Sequence, residues 1–359
     1  MTSKERILHA LHGRDVDYLP FSPNLAYVWE SFPQEIQALG QDGFQRMIGC
    51  DPLWRGAPGV VHATHPEQLR STRTQEGGLA ILAQETPVGN IRTAWTRSPD
   101  GNTNFLTEHP LKREEDFKVL LWIEENTRFH FDPSHALAHL DASGREGLSI
   151  GMLIPRCKTA FQTLVEHFVG TEELAYALAD FPGTVRELLH AMNANDRACA
   201  KISLEAPYDY FITWEDSSTQ NYSPAQYCEF IAPEISAWCA TLATAGKHYI
   251  QHACGHLDQL CVPMREQGIF GVESISPPPT GNITMAGARE KLGPKPVIIG
   301  GIEPVEFLRL PLAGLDAYVE EVIAELRGGP FLLANSDSCP PGVTVEKFKR
   351  VTEIAKRFK

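Results

Sequence analysis

The run Tyr249-Ile250-Gln251-His252-Ala253-Cys254-Gly255 places a histidine and a cysteine two residues apart where an apolar stretch ends. Side chains at positions i and i+2 of a β-strand point to the same face of a sheet. We therefore expect His252 and Cys254 to converge on one point where this strand stops. Imidazole and thiolate together favour zinc over magnesium or calcium.

Short apolar, β-branched runs alternate with helical patterns on both sides of this stretch, which indicates βα units around a parallel sheet. The predicted strands are residues 19–23, 51–54, 148–153, 210–214, 248–252, 271–275, 297–299 and 331–334. The helical patterns include residues 3–13, 34–48, 182–204, 224–245, 257–267, 312–327 and 345–358. This tally predicts a single α/β domain over residues 1–359, a (β/α)8 TIM barrel with extra N-terminal helices. A doubly wound sheet is the alternative.

Residues 75–98 depart from the βα pattern. The segment 88–95 has the alternation of a β-hairpin, with Gly89-Asn90 as its predicted turn. We interpret it as an insertion that forms a β-hairpin at the barrel rim.

Composition narrows the class of protein. The 359 residues carry a formal net charge of −13 and are 43% hydrophobic, enough to bury a large core. Nucleic-acid binders are more often basic, and no apolar run approaches the roughly 20 residues that span a bilayer. The N-terminus does not have the pattern of a signal peptide. We expect a cytoplasmic protein without nucleic-acid or membrane partners, and its 8 scattered cysteines predict no disulfide framework.

Chemistry in a (β/α)8 barrel takes place at the carboxyl ends of the strands, so the polar residues that follow each predicted strand are candidates. They include Asn24, Tyr27 and Trp29 after the first strand, Glu215 and Asp216 after the fourth, His252 and Cys254 at the fifth, Glu273 on the sixth, and Asp337 and Cys339 after the eighth. Acidic, amide and thiol groups thus recur at the end where a barrel builds its site.

The sharpest hypothesis is a zinc site formed by His252, Cys254 and Cys339, with Glu273 on the adjacent strand as the fourth ligand. The alternatives for the fourth position are His256, Asp337, water and substrate. Zinc with thiolate ligands suits a substrate thiol held as thiolate, and it also suits activation of an ether or thioether leaving group. In the alternative without a metal, Cys254 is a buried neighbour of a hydrogen-bonded His252, and Cys339 packs in a loop.

A second constellation is Trp214-Glu215-Asp216. A carboxylate pair at a strand end can act as acid, base or hydrogen-bond anchor, so Glu215 and Asp216 are the predicted catalytic residues. In the structural alternative, Asp216 caps the following segment and Glu215 is solvated. The predicted substrate-binding residues are Asn24, Tyr27, Trp29 and Trp214.

With these motifs, the chain resembles the uroporphyrinogen decarboxylase-like superfamily, and within it the corrinoid-linked methyltransferase branch. The resemblance covers nearly the whole chain. It is carried, in order, by residues 3–20, residues 168–173, Trp214-Glu215-Asp216, His252-Ala253-Cys254-Gly255, Gly300-Gly301-Ile302 and residues 335–343. The resemblance implies a single distorted (β/α)8 barrel with its cleft at the carboxyl ends of the strands.

The resemblance also bears on the chemistry. Uroporphyrinogen decarboxylases need no metal and hold substrate carboxylates with an Arg-rich segment after the first strand, whereas residues 21–29 contain no arginine. Methyltransferases of the family bind zinc with a His-x-Cys pair and a late cysteine, positions that His252, Cys254 and Cys339 match. Cobalamin-independent methionine synthases are more distantly similar and have a comparable His-x-Cys, Glu and Cys arrangement, which supports Glu273.

The resemblance therefore implies a zinc-dependent methyltransferase that moves a methyl group between a small molecule and the cobalt of a separate corrinoid protein. The small molecule is a thiol acceptor, or a donor of the methoxy or methylamine type. The implied cofactors are Zn²⁺ and a corrinoid (cobalamin) supplied by the partner protein, and a homodimer is compatible with the family. The alternatives are a metal-independent decarboxylase of the same fold acting on a small carboxylated substrate, and a barrel that only binds its ligand.

Overall fold

The structure, a computed structural model, describes residues 1–98, 103–142 and 146–359. Its strands are β1 (Leu53–Ala57), β2 (Val61–Thr64), β3 (Arg70–Glu76), β4 (Leu79–Thr86), β5 (Gly89–Arg97), β6 (Asn104–Glu108), β7 (Arg128–Phe131), β8 (Leu148–Met152), β9 (Tyr210–Thr213), β10 (His248–His252), β11 (Gly271–Glu273), β12 (Val297–Ile302) and β13 (Phe331–Asn335).

Its α-helices are α1 (Ser3–Leu11), α2 (Gln34–Gln37), α3 (Gly40–Ile48), α4 (Glu114–Asn126), α5 (Ser134–Ala142), α6 (Ala160–Thr163), α7 (Thr171–Asp180), α8 (Pro182–Ile202), α9 (Pro224–Gln226), α10 (Ala232–Ala243), α11 (Cys261–Glu266), α12 (Met285–Leu292), α13 (Pro304–Arg309), α14 (Leu312–Leu326) and α15 (Val345–Ala355). None of the described helices combines the length and the apolarity needed to span a bilayer.

The chain forms two compact units. The first comprises Met1–Gly59, Pro133–Leu153 and Ala206–Lys359, and the second comprises Val60–Asp132 and Ile154–Glu205. The assignment of residues 1–359 to one domain stays a prediction. All the residues of the candidate site discussed below belong to the first unit.

A parallel sheet organises the first unit. Its seven described strands are arranged in the order β1-β8-β9-β10-β11-β12-β13, and each neighbouring pair is parallel. Helices follow most of these strands, so the fold is α/β and the predicted distorted TIM barrel is confirmed. Parallel strands are buried on both faces, which explains their nearly continuous apolar runs.

Alternate strand residues build one core. Leu53, Ile150, Ile212, Ile250 and Ile299 are buried together and pack with residues of α1. Because side chains alternate across a strand, the residue two positions after each of them points to the same face. Polar residues at the carboxyl ends of the strands that lie two positions after a core residue therefore point to the same face as the core.

The first predicted strand, residues 19–23, is not a regular strand. Phe21 makes a single bridge to Leu333. The Ser22 backbone N–H donates to the Leu333 carbonyl at 2.9 Å, and the Asp51 N–H donates to the Phe21 carbonyl at 2.9 Å. The segment thus lies between β13 and the residues before β1 and occupies the eighth position. Pro20 and Pro23 lack N–H donors, which prevents a continuous ladder there.

The second unit contains a four-stranded antiparallel sheet, β3-β4-β5-β6, and the antiparallel pair β2-β7. The predicted hairpin exists, but its predicted turn is wrong. Thr86 pairs with Gly89, so the turn is residues 87–88, and Gly89-Asn90 belongs to β5. The preceding turn is Gly77-Gly78, where both residues have positive φ, as a type I′ turn requires. The placement of the hairpin at the barrel rim stays a prediction.

The predicted helices are confirmed in type, with shorter bounds. The segment 34–48 forms two helices, α2 and α3, because Gly40 takes a positive φ of 65° between them. The segment 224–245 contains a π-helical turn at Tyr227–Ile231 between α9 and α10. Helix α1 begins at a capping box between Thr2 and Glu5.

A buried ion pair ties α1 to the start of β1. One Nη of Arg6 lies 2.5 Å from Oδ1 of Asp51, and the two side chains are only 5% and 2% exposed. The Arg6 Nε also lies 2.6 Å from a carboxylate oxygen of Asp17, which is more exposed. Removing one partner of a buried ion pair leaves an uncompensated charge in a medium of low polarity.

We expect Asp51→Asn to lower the free energy of unfolding by about 3 kcal/mol, because Arg6 stays buried with less neutralising charge. The matched control, Glu146→Gln, breaks the Arg46–Glu146 pair, whose side chains are 57% and 56% exposed. That change should cost less than about 1 kcal/mol. Urea unfolding followed by circular dichroism measures both. Equal effects of the two substitutions would contradict the importance of the buried pair.

Candidate metal and active site

A cavity of about 560 Å³ opens at the carboxyl ends of the strands of the first unit. This volume is typical of a site for a small molecule. Its lining includes Asn24, Tyr27, Trp54, Arg55, His139, Trp214, Asp216, His252 and Asp337. The same-face rule explains several of these residues: Arg55, Trp214 and His252 each lie two positions beyond a core residue of the same strand.

Three potential metal ligands converge beside this cavity, and two of them, Asp216 and His252, line it. Asp216, His252 and Cys254 each offer one ligand atom, and these atoms all lie within 4.8 Å of one another. The His252 Nε2 lies 3.1 Å from Asp216 Oδ1, and the Cys254 Sγ lies 3.6 Å from the same oxygen. We call these residues the ligand trio.

The local sequence explains how Cys254 reaches this position. The Ala253 backbone N–H donates to the Glu273 carbonyl at 2.9 Å, which extends the β10–β11 pairing past the end of β10. Gly255 then packs directly against Ser218, where a Cβ atom on residue 255 would lie 2.3 Å from the Ser218 Cβ. Only glycine permits this approach, which brings the chain after Cys254 against the segment that follows Asp216.

Glu273 contacts His252 of the trio at the ring nitrogen that does not face Asp216. Its Oε2 accepts hydrogen bonds from His252 Nδ1 at 2.5 Å and from Ser274 Oγ at 2.8 Å. Its Oε1 forms an ion pair with Arg55 Nε at 2.8 Å. Both carboxylate oxygens are therefore engaged by the protein. In this arrangement the carboxylate orients His252 and leaves Nε2 directed at Asp216. The role of Glu273 as fourth metal ligand stays a prediction.

The electrostatics reflect this arrangement. Burial lowers the pKa of His252, but the carboxylates of Glu273 and Asp216 outweigh burial and raise that pKa well above its ordinary value. Burial raises the pKa of Glu273, but the charges of His252 and Arg55 outweigh it and leave that pKa below its ordinary value. Burial raises the pKa of the Cys254 thiol, and the hydrogen bond with His252 opposes this shift. A bound cation would favour the thiolate.

Strained backbone surrounds the site. Asp216, Ser274 and Asp337 have φ values of 47°, 73° and 61°, in the left-handed region that non-glycine residues rarely adopt. Each residue lies within three positions of the end of a strand. Such strain persists only where surrounding contacts enforce it, and it is concentrated at functional sites.

Hydrogen bonds hold the loop after β13 in place. The Asn335 side chain accepts from the Asn24 N–H at 2.9 Å and donates to the carbonyls of Asn24 and Asp337 at 3.0 and 2.8 Å. The Asp337 N–H donates to Ser274 Oγ at 2.8 Å. Because Ser274 also donates to Glu273, the loop is connected to the carboxylate that orients His252.

Cys339 lies outside the ligand trio. It is fully buried and makes a backbone bridge with Tyr27, and burial raises the pKa of its thiol. Among the described residues, the group of potential metal ligands consists of Asp216, His252 and Cys254, and it does not include Cys339. Asp216, which the sequence suggested as a catalytic acid or base, takes its place in the cluster. The structure therefore does not bring Cys339 into the trio, and its ligand role stays a prediction.

Two further predicted site residues lie elsewhere. Trp29 packs edge-on against Phe32 and Phe44, with ring centroids 6.0 and 5.9 Å apart, and does not line the cavity. Glu215 is fully buried and also does not line the cavity. The alternation that points Trp214 inward turns Glu215 away from the cavity. The structure thus places Trp29 and Glu215 outside the cavity lining, and their roles in substrate binding and catalysis stay predictions.

Asn24, Tyr27 and Trp214 do line the cavity, as predicted. Trp214 also meets the His252 ring edge-on, with centroids 5.2 Å apart. Sequence reasoning missed Arg55 and His139. Arg55 was missed because the second strand was predicted to end at residue 54, although Arg55 shares a face with Leu53. His139 lies on α5, and no pattern in the sequence distinguishes it.

Comparisons with known proteins place the chain in a family. The sequence profile of the uroporphyrinogen decarboxylase (URO-D) family matches residues 162–358, more than half of the chain. The chain therefore belongs to the uroporphyrinogen decarboxylase family. A search of curated protein sequences found no significant match.

Solved structures support the fold. A methyltransferase from Methanosarcina mazei is similar over 99% of both chains, with a TM-score of 0.61 and 13% sequence identity. A putative vitamin-B12-independent methionine synthase from Listeria monocytogenes matches over 90% of this chain and 86% of its own, with a TM-score of 0.44 and 13% identity. At these identities the similarity of the first structure shows a shared fold, and that of the second is too low to support a conclusion.

The trio predicts which cysteine holds a metal ion. We expect Cys254→Ser to abolish or strongly weaken zinc binding, because the substitution replaces a thiolate with a weaker ligand. Cys339→Ser should retain zinc, since its thiol lies outside the trio, and the buried Cys261→Ser serves as control. Titration with zinc against a chromophoric chelator measures the affinity of each variant. Loss of zinc from Cys339→Ser would contradict the ligand set seen here.

The second prediction concerns the residue behind His252. We expect Glu273→Gln to weaken zinc binding by about 10- to 100-fold, because an amide orients the imidazole less strongly and does not raise its basicity. Ser274→Ala removes one hydrogen bond to the same oxygen and should have a smaller effect. The same chelator competition measures both variants. An unchanged affinity in Glu273→Gln would show that the carboxylate does not support the metal site.

Proposed function

We propose that this chain is a zinc-dependent methyltransferase that moves a methyl group between a small molecule and the cobalt of a separate corrinoid protein. The observation that carries the proposal is the convergence of Asp216, His252 and Cys254. Two of the three, Asp216 and His252, line a cavity suited to a small molecule. Membership of the family and the shared fold with a methyltransferase are consistent with it.

The trio fits zinc by its donor chemistry. An imidazole nitrogen, a thiolate and a carboxylate oxygen are the three ligand types that protein-bound zinc takes. The His252 Nδ1 is held by a carboxylate, an arrangement common around metal-ligating histidines. When bound, zinc would supply a Lewis acid that holds a sulfur or oxygen atom of the substrate and stabilises negative charge there.

The protein's own residues define the rest of the site. Glu273 contacts His252 at Nδ1, so Nε2 would be the ring nitrogen that binds a metal ion. Trp214 and Tyr27 provide aromatic surface in the cavity, and Asp337 provides a second carboxylate at its edge. Because a cavity of about 560 Å³ suits a small molecule, we propose that the corrinoid approaches its mouth on a partner protein.

The family match supports a second candidate, a metal-independent decarboxylase acting on a small carboxylated substrate. Asp216 is partly exposed at the cavity wall, with a side-chain exposure of 33%, and can act as a proton donor without a metal. The two candidates differ in a way that can be measured, because only the first requires the thiolate of Cys254.

The test begins with metal analysis, for which we expect about one zinc ion per chain. The protein is then incubated with methylcobalamin and a panel of thiols, and in the reverse direction with reduced cobalamin and methylamines, methanol or methoxyaromatic compounds. We expect one panel to change the cobalamin absorbance. Cys254→Ser and Asp216→Asn should lower that rate at least about 100-fold, while Cys261→Ser keeps it.

Two results would contradict the proposal. The first is undiminished methyl transfer by Cys254→Ser or by chelator-treated protein. The second is the absence of methyl transfer in both directions from zinc-loaded protein. Release of carbon dioxide from a carboxylated substrate without zinc would instead support the decarboxylase.

A further inference from the structure

Arg55 is the cationic side chain that enters the cavity from β1, and its side chain is only 5% exposed. Two of its three nitrogens are engaged by the protein. Nε pairs with Glu273 Oε1 at 2.8 Å, and Nη2 donates to the Ser22 carbonyl at 2.9 Å. Within the described part of the chain, the contacts of the guanidinium are these two, and neither involves Nη1. Arg55 is part of the cavity lining. The two N–H groups of Nη1 are therefore available to a ligand.

The charge of Arg55 is incompletely compensated. A guanidinium remains protonated in proteins, so burial cannot neutralise it. Its partner Glu273 carries one negative charge and shares it with His252, which hydrogen-bonds to the other carboxylate oxygen. A buried cation that shares its counter-ion and has free N–H donors is strongly stabilised when a further anion binds to it.

The surroundings of Arg55 suit a flat molecule that carries such an anion. Gly56, the next residue, has a φ of 67°, and a Cβ atom there would lie 2.6 Å from the Trp214 ring. The indole therefore lies directly against the backbone beside Arg55. Trp54, on the other side of Arg55 in the sequence, also lines the cavity. An aromatic or other flat group can pack here with its charged end at the guanidinium.

The position of Arg55 also relates the anion to the reacting end of a substrate. Arg55 and His252 bind opposite oxygens of the same Glu273 carboxylate. Arg55, His252 and Asp216 also line the same cavity, so a molecule held at Arg55 by one end shares that cavity with two members of the ligand trio. The acidic Asp216 of the trio is itself compensated by His252 at 3.1 Å, so it does not prevent an anion from binding at Arg55.

We propose that the substrate of this site is a small acid whose carboxylate is bound by Nη1 of Arg55. Arg55 is then a specificity-determining residue, and it selects an acidic small molecule over its neutral counterpart. The inference rests on the proposed function to the extent that this cavity is the substrate site. In the proposed reaction, the methyl group moves between a small molecule and the corrinoid, and the inference identifies that small molecule as an acid.

The test compares two probes of equal shape, benzoate and benzamide, by calorimetric titration of the full chain. Chelator-treated protein is used so that a metal ion does not contribute to carboxylate binding. We expect benzoate to bind about tenfold more tightly than benzamide, because a charge-assisted hydrogen bond is replaced by a neutral one. Arg55→Gln should abolish the preference, and Arg55→Lys, which keeps the charge without the planar fork, should retain part of it.

The matched control is Arg46→Gln. This substitution removes an exposed arginine that does not line the cavity, and the variant should bind both probes like the wild type. Equal binding of the two probes by the wild type, including binding of neither, would overturn the proposal. So would an unchanged preference in Arg55→Gln. Near-ultraviolet circular dichroism checks whether Arg55→Gln folds. If it does not fold, the comparison of the two probes on the wild type still tests the proposal.

This experiment separates the inference from the proposed function. Binding is measured without corrinoid, thiol or zinc, so a protein that transfers no methyl group can still prefer benzoate. Conversely, a methyltransferase with neutral substrates would show cobalamin turnover and no preference between the probes.

Discussion

The carboxylate of Glu273 is the group on which the arrangement of the site depends. It is fully buried, and it stays ionised because Arg55 and His252 place positive charge and donors on its two oxygens. Neither partner alone would compensate a carboxylate in this interior. The three residues come from β1, β10 and β11, so one charge fixes the relative positions of three strand ends. Ser274 adds the loop after β13 to the same network through Asp337.

This network explains why the trio is assembled from short, unremarkable motifs. His252 is oriented from behind by Glu273, Cys254 follows it on the same face, and Gly255 allows the close approach to Ser218. Asp216 then meets both through a left-handed backbone turn after β9. The positions of the residues that face the cavity thus depend on polar residues that are buried behind them. Alternation fixes which face of the sheet each strand residue points to. A parallel sheet can therefore build a specific site from a few polar residues at the ends of its strands.

Much of the fold and the centre of the site follow from periodicity. Alternating apolar runs and helical patterns located six of the seven described sheet strands closely, and the same-face rule brought His252 and Cys254 together. The rule failed only where the ends of a strand were misjudged: ending the second strand at residue 54 concealed Arg55. Trp29 and Cys339 lie in irregular segments, where direction depends on tertiary contacts such as those with Phe44 and Tyr27. Cys339 was favoured because it follows the eighth predicted strand and matches a late cysteine of the family it resembles, and neither observation tells which way the loop turns.

The two prolines at residues 20 and 23 make the free energy of local opening differ from one part of the barrel to another. Between β13 and β1 the ladder is replaced by a few isolated hydrogen bonds around Phe21 and Ser22, whereas β10 lies in the middle of the sheet with partners on both sides. Local opening needs the least free energy where the fewest buried hydrogen bonds must break. The barrel therefore has a weak seam, and amide hydrogens along it exchange first. Asn24 and Tyr27 lie just beyond that seam, so one wall of the cavity can loosen while β10, which carries His252, remains closed.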